Sequence, residues 1–123
     1  MIEKLLIVTV SSLTISSLTF TIMDAIIVQI STDLEPLIPR YLINRQADIQ
    51  RLQEAVAHQN IDEIRSLGHT LKGSGTSFGL DAISEFGRSL EIAAKSGDMI
   101  EVQRLINEFT LFLKRLEVVY VEE

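Results

Sequence analysis

Between residues 39 and 120 the sequence holds four stretches in which apolar side chains return every three or four residues, separated by turns of only a few residues. Such spacing lines one face of an α-helix, so each stretch must bury a stripe against its neighbours. Consecutive helices joined by turns this short run antiparallel. An all-α, antiparallel up-and-down four-helix bundle is therefore the expected fold.

The first helix is expected over residues 39–58, with Tyr41, Leu42, Ile49, Leu52 and Val56 turned inward. Ahead of it, Ser31, Thr32 and Asp33 are candidate caps, Pro36 suits a first turn, and Pro39 should bend or restart the helix. Gln59 and Asn60 end it. The second begins near Asp62 and ends near Phe78 or Gly79, its last turns loosened by Gly73, Gly75 and Gly79. The third covers residues 80–96, with Leu80, Ile83, Phe86, Leu90 and Ala94 on one stripe. Ser96, Gly97 and Asp98 form a turn in which glycine takes the left-handed position and aspartate caps the next helix. The fourth runs over residues 99–120 and repeats Val102, Leu105, Phe109, Phe112, Leu113 and Leu116.

Residues 1–25 stand apart from this pattern. Residues 5–23 carry no charge, and eight of these nineteen are serine or threonine, a poor composition for a membrane span of marginal length. The flanks, with Glu3 offsetting Lys4 and no small-x-small cleavage site, do not suit a secretory signal. A packing element, or a surface through which two copies of the chain associate as a homodimer, is the expectation for this segment. Membrane attachment is the less favoured alternative. The domain division is accordingly 1–25 for that element and 26–123 for the bundle.

Acidic residues outnumber basic ones by seventeen to eleven and no basic run occurs, so the electrostatic footprint of a nucleic-acid binder is missing. With no cysteine and only His58 and His69, disulfides, thiol nucleophiles and zinc sites of the usual ligand sets are disfavoured. No metal or cofactor site is expected in the chain. His58, at a helix C-terminus, is expected only to complement the helix dipole.

His69 is different because of what shares its face. At 100° per residue, Ile64, Leu67, Leu71 and Phe78 all lie within roughly 40° of the direction opposite His69. If they face the core, His69 faces solvent. Asp62, Arg65, Lys72, Gly73 and Thr76 fall within roughly 60° of it. An exposed imidazole, largely neutral near pH 7, presents a nitrogen lone pair that can attack phosphorus without a dedicated base. Lys72, at i+3, can reach the oxygens of the resulting phosphoramidate. Arg65, at i−4, is a second available cation, unless it pairs with Asp62 or Glu63. Gly73, at i+4, costs a helix about 1 kcal/mol relative to alanine, which has a use if a partner must approach the ring closely. Thr76 can offer a hydroxyl to a docking surface or satisfy a local carbonyl. Gly75 and Gly79 read as helix-ending residues, since no strand precedes them as a phosphate loop requires.

The segment GHTLKGSGTSFG, residues 68–79, resembles the signature of histidine phosphotransfer (HPt) domains: a histidine followed by a hydrophobic residue, a lysine and a glycine. The likeness extends over roughly residues 30–120. It implies that His69 is the phosphoacceptor, Lys72 steadies the phosphate, Gly73 gives clearance, and Leu67, Leu71 and Phe78 support the core. It also implies the partners: response-regulator receiver domains and a histidine kinase, including a hybrid one, with Mg2+ held by the partner receiver, all in the cytoplasm. Such a chain relays phosphate without independent turnover. The rival expectations are a non-phosphorylated helical adaptor that binds receiver domains, and a membrane-tethered or kinase-embedded form of the same domain.

Overall fold

The computed structural model describes residues 25–122. The expectations for the segment 1–25 therefore lie, apart from Ala25, outside the described residues.

Four helices form where the periodicity places them: α1 (Ile38–Ala57), α2 (Ile61–Ser74), α3 (Asp81–Lys95) and α4 (Met99–Arg115). Each boundary has a local cause. Ser31 accepts a hydrogen bond from the Asp33 N–H at 3.2 Å and caps a single 3-10 turn, Thr32–Leu34. Pro39 neither bends nor restarts a helix, because it sits in the first turn of α1, where its missing N–H would have had no partner. Asn60 belongs to the following helix: its side chain accepts from the Glu63 N–H at 3.1 Å and caps α2. Asp98 does the same for α4 through the Glu101 N–H at 3.0 Å, after Gly97 has turned the chain with φ 72°.

Each helix packs on the next, and α4 closes the ring against α1. Of the expected stripes, Leu52, Ile64, Leu71, Ile83, Leu90, Val102 and Phe109 are fully buried, joined by Ile106, while Leu42, Val56, Phe86 and Leu113 pack half-buried at the core's edge. Burying one such side chain contributes roughly 1.5–3 kcal/mol, so this layer is the main stabilising term. Phe86 packs against both Phe109 and Phe112, with ring centroids 5.2 Å and 5.7 Å apart respectively. No helix among the described residues is long and apolar enough to cross a membrane.

Two further features differ from the sequence reading. The second helix ends at Ser74, and the chain continues to Phe78 as a 3-10 turn, Thr76–Phe78, closed by Gly79 at φ 76°. The fourth helix stops at Arg115 rather than residue 120. Beyond it, β2 (Leu116–Val121) pairs in parallel with β1 (Ile26–Ser31), in register from Ile26↔Leu116 to Ser31↔Val121. The cause is a change of period: Leu116, Val118 and Tyr120 pack on the core, as do Ile26, Val28 and Ile30, while the residues between them alternate away. Three of the six residues in β2 are valine, which the sheet favours over another helical turn. The whole bundle is thus the crossover connection that a parallel pair requires.

Candidate functional site

Where α2 crosses α3, two glycines let the backbones approach each other. A methyl group at Gly68 would lie 2.8 Å from both the Gly87 carbonyl oxygen and the Glu91 nitrogen. One at Gly87 would overlap the Lys72 backbone nitrogen and lie 2.6 Å from the Gly68 oxygen. With the backbones this near, residues flanking the crossing on either helix come within reach. His69 and Lys72 follow Gly68 by one and four positions, and Glu91 follows Gly87 by four, on the same side of α3.

The Glu91 carboxylate bridges the two α2 residues. It accepts from His69 Nδ1 at 3.0 Å through Oε2 and from Lys72 Nζ at 2.7 Å through Oε1, and Lys95 Nζ stands 3.9 Å from Oε2. The Glu91 side chain is only 11% exposed, whereas that of His69 is 68% exposed. The Lys72 hydrogen bond holds the Glu91 carboxyl below the usual carboxylate range; burial opposes it, and the His69 hydrogen bond and the charges of Lys72 and Lys95 reinforce it. An ionised carboxylate can only accept, so the proton of a neutral imidazole resides on Nδ1 and the lone pair on Nε2.

The remaining α2 candidates fall into place as follows. Leu67 and Leu71 are buried, consistent with an outward His69, and Phe78 is half-buried with its ring stacked on Tyr41 at 4.1 Å. Gly73 is exposed, and a methyl group there would meet nothing within 4 Å. Its bareness answers no packing need inside the chain, in contrast to Gly68 and Gly87. Arg65 reaches back to Asp62, 3.7 Å away, the alternative its sequence position allowed. Thr76 turns to Ser84: its N–H donates to Ser84 Oγ at 2.8 Å and its hydroxyl does so at 3.1 Å. Its hydroxyl is thus occupied by a side chain rather than by a carbonyl. His58 donates from Nδ1 to the Glu54 carbonyl at 2.9 Å, a contact within its own helix end.

Glu91 is the site residue that the sequence reading missed. Its signal was present: Gly87, Leu90, Glu91 and Ala94 share one helical face, and a carboxylate on an apolar face demands a cation or donor from a neighbour. Which neighbour supplies it depends on the helix crossing. Among the described residues no group of three or more histidine, cysteine, aspartate or glutamate side chains could hold a metal ion.

Comparison with protein-family models gives a match over residues 37–118 to the family described as "Hpt domain". No curated protein and no solved structure matches the chain. The matched span contains all four helices, the Gly68–Gly87 crossing and the His69–Glu91–Lys72 group.

Proposed function

The chain belongs to the Hpt-domain family, whose members act in phosphorelay histidine phosphotransfer, and we propose that His69 is the residue through which it does so. The single observation that carries this reading is the Glu91 carboxylate on His69 Nδ1, which leaves Nε2 outward with its lone pair free.

In the proposed step, Nε2 attacks the phosphorus of a receiver aspartyl phosphate. An N–P bond forms, the P–O bond to the aspartate breaks, and the electron pair leaves on the aspartate carboxylate. The ring becomes a phosphoimidazolium whose Nδ1–H still donates to Glu91, so the new positive charge forms beside a carboxylate. Passing the group to a second aspartate is the same step reversed. Lys72, on the same face, supplies the cation for the phosphoryl oxygens, and Gly73 leaves room for the partner. Mg2+ and the remaining electrostatic stabilisation belong to the partner receiver domain. Receiver domains and histidine kinases are the proposed partners, and the cytoplasm the proposed compartment. Arg65 lies 3.7 Å from Asp62 and Thr76 hydrogen-bonds Ser84 in the resting chain, so this reading assigns the phosphate contact to Lys72 ahead of either.

The test is transfer of labelled phosphate from phosphorylated receiver domains to the purified chain, with His69→Ala in parallel. An acid-labile, alkali-stable label absent from the variant is the expected result. Receiver binding without label would instead make the chain a non-phosphorylated adaptor.

A further inference from the structure

Lys72 is already committed in this structure. Its ammonium is 2.7 Å from Glu91 Oε1, and Glu91 is nearly buried with His69 on its other oxygen. A phosphoryl group on Nε2 would bring about two further negative charges to the same face. The ring's Nδ1–H holds only Oε2, so Lys72 would then be divided between Glu91 Oε1 and the phosphoryl oxygens, unless Glu91 gains a further cation.

Lys95 is placed to be that cation. It lies one turn beyond Glu91 on α3, in the Glu-before-Lys order that favours an i,i+4 pair, and in the last turn, where the helix dipole favours positive charge. Its Nζ is 3.9 Å from Oε2, close enough for charge attraction but too far for a hydrogen bond. The side chain is 58% exposed, so it is free to close the remaining ångström.

We propose that Lys95 is a positioning residue for phosphoryl transfer: when His69 carries the phosphoryl group, Lys95 closes on Glu91 and releases Lys72 to the phosphoryl oxygens. This rests on His69 being the acceptor. Lys95 does not touch the reacting atoms. It keeps Glu91 ionised and seated on Nδ1 while Lys72 changes partner, so the carboxylate keeps an ammonium beside the ring.

The experiment uses the full chain and N-phosphoimidazole as donor, following the exchange in which the donor's P–N bond breaks, free imidazole leaves and a P–N bond forms at His69. Phosphorus NMR gives the equilibrium constant directly. Lys95→Gln is expected to lower it roughly two- to fivefold, the worth of one partly exposed ion pair. Lys95→Arg should restore it, and in a Glu91→Gln background Lys95→Gln should change nothing. Thermal melting of the unphosphorylated variants separates a loss of stability from this coupling. An equilibrium constant unchanged by Lys95→Gln overturns the inference, as does an equal drop in the Glu91→Gln background. A wild-type chain that takes up no phosphoryl group overturns the acceptor reading first, and this inference with it.

Discussion

At the scale of the residue, the site depends on what each side chain cannot do. An ionised Glu91 cannot donate, which selects the tautomer of His69. Glu91→Gln removes that constraint, because an amide can also present its N–H2. The expected outcome is a mixed tautomer population by nitrogen NMR and phosphoryl transfer slowed about tenfold, less than the roughly hundredfold or more that loss of a general acid or base costs, because the carboxylate acts only through the ring. A single tautomer in the variant would refute it. The pH dependence follows from the same carboxylate. Its folded value lies below its unfolded one, so its stabilising contribution is complete above the ordinary carboxylate range and fades as pH falls through the depressed value. Glu91→Gln should therefore flatten the acid limb of a stability-versus-pH curve, which denaturant melts between pH 7 and 3 would register. Gly73 has no neighbour to offend, so Gly73→Ala should raise stability by about 1 kcal/mol, while Gly73→Leu should slow transfer to a receiver without unfolding the chain. A destabilised Gly73→Ala would mean that the glycine has an internal purpose after all.

At the scale of the element, the α2–α3 crossing decides whether a site exists. Gly87→Ala places a methyl group against the backbone of Lys72, with no flexible side chain to give way. A loss of about 1–3 kcal/mol is expected, together with loss of the Glu91–His69 contact. Calorimetry and the His69 nitrogen shifts would show both, and a variant that melts like the wild type would show that the helices part without penalty. Legibility divides along the same line. The helices and their inward stripes could be read from spacing alone, because a 3.6-residue period needs no knowledge of what it packs against. Gly68 and Gly87 could not be read as contact points: only the pairing of two particular helix faces makes them so. Glu91 shows the same limit, since its partners lie 19 and 22 residues away.

At the scale of the whole molecule, β1 and β2 tie the two ends of the described chain over one side of the bundle. A two-stranded sheet is marginal by itself, but this one buries Ile30 to 2% exposure and seats it against Gly79, just past the 3-10 turn that follows α2. Ile30→Ala should therefore destabilise the entire domain by about 2–5 kcal/mol rather than fray one strand. Hydrogen exchange would distinguish the two, with amides of β1 and α2 exchanging together in the first case and separately in the second. A chain cut to residues 37–118 keeps the four helices but loses β1 and half of β2, and should melt well below the full chain.

The sequence by itself determined the four helices of the described residues and their polarity, the outward direction of His69 and the companions Lys72 and Gly73 on its face, because each of these is a property of local period. Tertiary structure decided the rest. It chose Glu91 as the partner of both His69 and Lys72, turned Arg65 and Thr76 to other contacts, and made a strand of the last turn expected for α4. These outcomes depend on which faces meet and at what distance. Hydrogen bonds, ion pairs and sheet ladders act only across a few ångströms, and those distances arise only when the faces of different elements are brought together.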